Sequence, residues 1–219
     1  MEDISSQNKL LSKTFIYMFL GLLVSGIVAY FTYSTNAIVS YFNSNTFYIL
    51  LFVEVAVVII FDLLFKKLPP LVVGILYFAY AIINGITLSV IFYVFEMQSI
   101  VYLFLVSAFI FSGLAYFGYH TTKDLSNWSN YIFAFLIAGS ILTIINLFYH
   151  SAQFDLIVDW VVLIIFCAVT IYDLNKVKDL EQNDSIGSDN IAIYCAMQIY
   201  LDFINIFLRI LSIFGKRRD

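Results

Sequence analysis

The stretch AMQIYLDFINIFLRILSIF, residues 196–214, decides the fold class of this chain. It is long enough and apolar enough to lie in a membrane, yet Asp202 stands in its middle and Arg209 follows seven residues later. An isolated charge at the centre of a membrane helix costs about 2.5–3.5 kcal/mol on insertion scales. A membrane segment that keeps such charges is expected to pair them or to use them.

The composition of the whole chain agrees with a membrane protein. Of its 219 residues, 62% are hydrophobic and only 12% are charged, whereas charged residues make up about a quarter of a soluble domain. The mean hydropathy is +0.94. Such a chain cannot cover itself with polar surface in water, so we predict an integral membrane protein. The apolar runs do not alternate with polar residues, which argues against a β-barrel.

Seven apolar runs, each close to the ~20 residues that cross a bilayer, predict an all-α fold with a single seven-helix transmembrane domain over residues 1–219. The predicted helices are at about 14–33, 46–65, 71–95, 99–119, 131–149, 156–174 and 191–214. The longest connection, residues 175–190, is polar and acidic, and we expect it to be a mobile cytoplasmic loop.

The distribution of lysines predicts the orientation in the membrane. One set of alternate loops holds every loop lysine, and the opposite loops (34–45, 96–98 and 150–155) hold none. This places the N-terminus and residues 175–190 in the cytoplasm. Seven full crossings then leave the basic tail, residues 215–219, outside, against the same rule. The last segment therefore either crosses fully or re-enters and returns, and we favour a full crossing.

The last segment carries a polar stripe on an otherwise apolar helix. Gln198, Asp202, Asn205 and Arg209 follow the spacing i, i+4, i+7 and i+11, which puts them on one face. Such a stripe can be structural, with hydrogen bonds that hold helices together. An aspartate in it favours a functional site.

Asp202 needs a partner, and the residues alone leave two candidates open. Asp173 ends the sixth run, although this position also fits the first polar residue after a helix. Arg209 lies about 10 Å along the same helix from Asp202, which makes direct contact doubtful. Glu54 lies deep within the second run and is another candidate for function.

Several classes of function are excluded by what the sequence lacks. We find no basic patch beyond the last residues, no glycine-rich phosphate loop and no hydrolase or metalloprotease motif. We therefore expect no enzyme activity, no cofactor and no nucleic-acid partner. His120 and His150 fall at opposite membrane faces in this topology, so they are a poor metal pair. Cys167 and Cys195 are expected to be free thiols.

Four motifs in order resemble the Bax inhibitor-1 family, also called the transmembrane Bax inhibitor motif family. They are NGITLSVIFYVF in the third run, FGYHTTKDLSNW after the fourth, FCAVTIYDLNKVK in the sixth and IYLDFINIFLRILSIFGKRRD at the end. The resemblance covers essentially all seven runs. It implies seven helices, with the C-terminal helix central and the other six wrapped around it. It also implies a calcium leak across a membrane and, in bacterial members, sensitivity to pH.

Carried onto this chain, the resemblance implies a pH sensor and gate made by Asp173 and Asp202, and it places Glu54 on the ion path. Bacterial members often have an arginine near the cytoplasmic end of the second helix, where this chain has Leu64. Lys66 and Lys67 are the possible closed-state charge partners in its place. The richness in Phe, Ile, Tyr and Asn indicates an AT-rich bacterial genome, and we expect a bacterial cell membrane.

The expected mechanism follows from electrostatics. Two carboxylates held close in a low dielectric cannot both ionise cheaply, so the pair shares a proton and titrates as a unit. Loss of that proton leaves two repelling charges that separate helices or attract a cation. Asp173, Asp202, Asn205 and backbone carbonyls are oxygen ligands for a transient calcium ion. Two alternatives remain, a non-conducting regulator that binds a membrane protease or cell-death proteins, and a proton-coupled cation transporter.

Overall fold

The computed structural model describes residues 2–37, 46–123, 125–149, 151–181 and 188–218, and within these ranges the chain is built of helices. A single isolated β-bridge joins Phe95 to Arg217 in the described part of the chain. In chain order the helices are α1 (Glu2–Ser34), α2 (Thr46–Leu64), α3 (Pro70–Leu88), α4 (Ile91–Val94), α5 (Met97–His120), α6 (Ser129–Tyr149), α7 (Ala152–Glu181) and α8 (Ser188–Phe214), with a 3-10 turn at Ser126–Trp128.

The predicted third helix matches the span Pro70–Val94, with a tightened turn near its end. The chain leaves α3 at Leu88 and forms the separate short helix α4 from Ile91, where one helix to residue 95 was predicted. The Oγ of Ser89 donates to the carbonyl of Ile86 at 2.5 Å, and the Ser89 backbone N–H is shared between the carbonyls of Gly85 and Ile86. A serine that bonds the preceding turn competes with the helical hydrogen bonds, which explains the tightened turn.

The predicted loop at 175–190 is largely helical in its described part. Helix α7 continues past residue 174 to Glu181, and α8 begins at Ser188, so the prediction was wrong at both ends; residues 182–187 lie outside the described residues. Leu174 and Val177 are buried, and residues such as Lys, Leu and Glu favour helix. The polar segment therefore extends the sixth helix beyond its apolar part. Helix α1 likewise begins at Glu2, before the predicted start at 14.

Five helices of the described chain are long and apolar enough to cross a membrane. They span Lys9–Ser34, Pro70–Val94, Met97–His120, Gln153–Val177 and Ser188–Phe214. Helices α2 and α6 coincide with the second and fifth predicted runs but are not among these five. The last span differs from the others because 78% of its apolar window is buried, against 28–33% for the other four.

The chain divides into two compact units, and α8 contributes to both. The first unit comprises 1–96, 181–200 and 217–219. Its helices α1 and α3 approach closely at Gly85, where an added Cβ would lie 2.7 Å from the carbonyl oxygen of Ser25. Phe61 and Phe65 of the same unit stack on Tyr194.

The second unit comprises 97–180 and 201–216. Its core includes aromatic contacts of Phe203 with Phe104 and Phe111, at ring-centre distances of 5.2 and 5.6 Å. At Gly118 of α5, an added Cβ would lie 2.5 Å from the carbonyl oxygen of Ile171. The absence of a side chain there lets α5 and α7 approach at the level of their backbones.

Within the first unit, the two ends of the C-terminal segment contact α1 at two separate places, Lys13 and Tyr33. Near the start of α8, Asp189 accepts a hydrogen bond from Lys13 at 2.6 Å. After its end, Arg218 donates to the hydroxyl of Tyr33 at 2.7 Å, and its backbone N–H donates to the carbonyl of Val94 at 2.9 Å. Between these contacts α8 is one uninterrupted helix.

Candidate functional site

Asp173 of α7 and Asp202 of α8 lie together in the second unit, with their carboxyl groups close enough to interact. Asp202 is buried, with 3% of its surface exposed, and Asp173 is partly exposed. A carboxylate only accepts hydrogen bonds, so a bond between two carboxyl groups requires a proton on one of them. The sequence left Asp173 as one of two candidates, and the structure brings this one to Asp202.

The surroundings of the pair combine one cation with uncharged groups. Lys176 lies one turn beyond Asp173 on α7 and interacts with it electrostatically. The Thr170 hydroxyl, which donates to the carbonyl of Phe166 at 2.8 Å, lies near Asp202, and so does the Cys167 thiol. The Oδ2 atom of Asp202 is buried without a hydrogen-bond partner in the part of the chain that the structure describes. This oxygen is free to take a proton or to meet an ion.

Glu54 of α2 lies in the first unit and is held by α3. Its Oε1 accepts a hydrogen bond from the Thr87 hydroxyl at 2.5 Å and a long one from Nδ2 of Asn84 at 3.5 Å. The carboxyl group is therefore tied between two helices while the residue stays partly exposed.

The hydrogen bonds continue from Asn84 to the interior of the first unit. The Tyr200 hydroxyl donates to Oδ1 of Asn84 at 2.8 Å and lies 2.6 Å from the Ser25 hydroxyl. Ser25 also reaches the carbonyl oxygen of Ala81 at 2.8 Å. Helices α1, α3 and α8 thus meet at one buried hydroxyl group. The sequence analysis did not single out Tyr200, since a tyrosine in an apolar segment carries no signal of its own.

The other polar residues of the stripe do not converge on Asp202. Asn205 donates to the carbonyl of Leu201 on its own helix at 2.8 Å. Gln198 is partly exposed. The stripe predicted from helical spacing is therefore a shared face of α8, and its members have separate local environments.

Arg209 pairs with Asp159 of α7, a residue that the sequence analysis missed. The distance from Nη1 of Arg209 to Oδ1 of Asp159 is 2.7 Å. The Ser212 hydroxyl contacts Oδ2 of Asp159 at 2.5 Å, and Nη2 of Arg209 reaches the Thr143 hydroxyl at 3.5 Å. Arg209 as the partner of Asp202 was thus the wrong alternative. A signal was present, because Asp159 is a charge inside the sixth apolar run.

Lys66 and Lys67 are exposed, and neither forms an ion pair within the described ranges of the chain. The Nζ of Lys66 lies 5.5 Å from the centre of the Phe65 ring. For the aspartate pair, the neighbouring cation that the structure supplies is Lys176, on the same helix as Asp173.

The described residues contain no group of three or more His, Cys, Asp or Glu side chains that could hold a metal ion. Two carboxyl groups and nearby backbone carbonyls make a weak oxygen site at most, since calcium takes about six to eight oxygen ligands.

Comparison with known proteins relates the chain to a family of membrane proteins. A family model described as "inhibitor of apoptosis-promoting Bax1" matches residues 7–219. The chain is 33% identical over 214 residues to inner membrane protein YbhL of Escherichia coli, covering 95% of this chain and 92% of YbhL. It is 30% identical over 223 residues to an uncharacterized protein of Borreliella burgdorferi, covering 100% of this chain and 96% of that protein.

Proposed function

Since this chain belongs to the Bax inhibitor-1 family, we propose that it is a pH-sensitive calcium leak channel gated by Asp173 and Asp202. The match over residues 7–219, the inner-membrane relative and the apolar helices make it a multi-pass helical membrane protein of this family. Calcium is the transported ion in this proposal, and protons control its passage.

The observation that carries the proposal is the close approach of the two carboxyl groups across α7 and α8. In the proposed closed state, Asp202 holds the shared proton, because it is the more buried of the two and Lys176 favours a negative charge on Asp173. The proton links the two helices. Its loss leaves two adjacent negative charges, which repel each other and attract a divalent cation.

The proposed calcium contact is transient. Asp173 and Asp202 supply two carboxylates, and Oδ2 of Asp202 has no competing partner among the described residues. A leak requires a site that binds weakly enough for the ion to leave. Glu54 is a second point on the proposed ion path, because its carboxyl group lies partly exposed within an apolar helix.

The proposed membrane arrangement has seven crossings, of which α3 and α4 together make one. Helix α8 is central, and the other six crossings are wrapped around it. The high burial of α8 supports its central place. We place the N-terminus in the cytoplasm of a bacterial cell on the basis of the lysine distribution. The tail after α8 then lies outside.

The test is calcium flux against pH with the purified protein in liposomes. We expect Asp202→Asn and Asp173→Asn both to move the midpoint of the flux–pH curve to lower pH, because the remaining carboxyl group no longer faces a second negative charge. The midpoint moves further for Asp202→Asn. The carboxyl group left in that variant is Asp173, and Lys176 favours a negative charge on it.

Asp155→Asn is the matched control, because it removes a carboxylate from the same helix α7 near its start. Its curve should coincide with that of the wild type. Unchanged curves in both pair variants would contradict the proposed gate. A wild-type protein that passes no calcium at any pH would favour a non-conducting regulator, and flux that requires a proton gradient would favour a coupled transporter.

A further inference from the structure

The ion pair between Asp159 and Arg209 has no place in the mechanism above. It joins α7 to α8 in the second unit, as the aspartate pair does, but at a different position along both helices. Both oxygens of Asp159 are engaged, one by the Arg209 guanidinium at 2.7 Å and the other by the Ser212 hydroxyl at 2.5 Å. The pair is therefore a fixed and specific contact.

Stability alone is a poor reason to keep these charges. Replacing a buried ion pair by apolar residues of similar volume is often neutral or stabilising. Ionisable residues within a membrane segment are rare and mark ion pathways or proton relays. A structural role would be served at lower cost by uncharged residues.

The pair also borders accessible space. The Arg209 side chain is 22% exposed and that of Asp159 is 9% exposed. On α8, Asn205, Arg209 and Ser212 lie on one face, and Ser212 is exposed while the other two are partly exposed. This polar face belongs to the helix that is otherwise the most buried of the five candidate spans. A polar, reachable face on a buried helix is what an ion path requires.

We propose that Asp159 and Arg209 form a charge gate on the cation path, a specificity-determining element that rests on the proposed function. In the pair, Asp159 cancels the positive charge of Arg209 and lets cations pass. Charged side chains set selectivity in other pores by the same electrostatics. A bare guanidinium repels a divalent cation twice as strongly as a monovalent one. The balance between the two residues thus sets both the size of the leak and its preference for calcium.

The experiment compares calcium and potassium flux through neutralised variants in liposomes. Asp159→Asn leaves Arg209 uncompensated, and we expect calcium flux to fall by about tenfold or more. Arg209→Gln leaves a free carboxylate, and we expect calcium flux and the calcium-to-potassium ratio to rise. The double variant Asp159→Asn/Arg209→Gln is neutral again and should return to within about threefold of the wild type.

Two controls separate charge from folding. Ser112→Ala removes an exposed hydroxyl that donates to the carbonyl of Ala108 on its own helix α5, away from the pair, and it should leave the ratio unchanged. Size-exclusion profiles and melting temperatures in detergent identify variants that do not fold. If a neutralised variant does not fold, a cysteine variant takes its place: Arg209→Cys in a chain with Cys167→Ala and Cys195→Ala. This protein is purified first and is then modified with thiosulfonate reagents. The cationic reagent should reduce calcium flux and the anionic reagent should raise it.

The outcomes are distinguishable. Opposite changes in the two single variants, with recovery in the double variant, support the gate. The gate is overturned if the wild-type protein passes calcium and both single variants change the flux in the same direction. It is also overturned if water-borne reagents do not reach a cysteine at position 209. In either case the proposed function still stands. A wild-type protein without flux overturns the proposed function and the gate with it.

Discussion

The Tyr200 hydroxyl lies where three helices of the first unit meet, and it satisfies two other buried polar groups. It donates to Asn84 at 2.8 Å and lies 2.6 Å from the Ser25 hydroxyl. Tyr200→Phe removes that oxygen and changes little else. We expect the free energy of unfolding to fall by about 1 kcal/mol, because Asn84 and Ser25 each lose a partner in an apolar surrounding. Reversible unfolding in mixed detergent micelles measures the difference.

Tyr102→Phe is the matched control for this substitution, because Tyr102 is 66% exposed. Its free energy of unfolding should equal that of the wild type within error. If Tyr200→Phe and Tyr102→Phe unfold alike, the hydrogen bonds at Tyr200 contribute nothing to stability.

At the scale of single residues, the sequence predicts which side chains are unusual better than it predicts their partners. Asp202 and Glu54 stand out because they are charges inside apolar runs. The partner of such a charge lies far away in the chain. Asp159, for example, is 50 residues from its partner Arg209. Contact across two helices depends on the rotation of each helix about its axis. Residue spacing fixes that rotation within one helix but not between two.

At the scale of helices, the apolar runs locate the elements correctly, and the errors are at their ends. An apolar run measures the part of a helix that fits the bilayer, whereas the helix itself continues as long as propensity and packing support it. Helix α7 therefore reaches Glu181. The tightened turn after Leu88 depends instead on the hydrogen bond from Ser89 to Ile86, which hydrophobic periodicity cannot detect.

Glycines on α5 give a prediction about helix packing. Gly118 and Gly113 belong to the same helix, but an added Cβ at Gly118 would lie 2.5 Å from the backbone of Ile171, while Gly113 has nothing within 4 Å. Gly118→Ala must push α5 away from α7 at Ile171, which lies two residues before Asp173. We expect it to reduce the free energy of unfolding by about 1–3 kcal/mol.

Gly113→Ala provides the control for this contact. Alanine favours helix over glycine by up to about 1 kcal/mol, so Gly113→Ala should be neutral or slightly stabilising. Melting temperatures of the two variants in the same detergent compare them directly. Equal melting temperatures would show that α5 and α7 can separate at Gly118 without loss.

At the scale of the whole molecule, composition alone predicts a helical membrane protein, and lysine counts predict its orientation except for the tail. The tail is held by contacts that the charge rule does not consider. Arg218 lies over the Tyr33 ring, 5.5 Å from its centre, and donates to its hydroxyl. Such contacts hold Arg218 against α1 without removing its charge.

The position of the tail is open to a labelling test in cells. In a chain with Cys167→Ala and Cys195→Ala, one variant carries Asp219→Cys and the other Lys123→Cys, an exposed position in a loop assigned to the cytoplasm. We expect an impermeant maleimide to label Asp219→Cys in intact spheroplasts, because the tail lies beside Val94, next to a loop assigned to the outside. Lys123→Cys should react only after lysis. Labelling of Lys123→Cys alone in intact spheroplasts would invert the orientation. Protection of both until lysis would place the tail in the cytoplasm and would rule out a full crossing by α8.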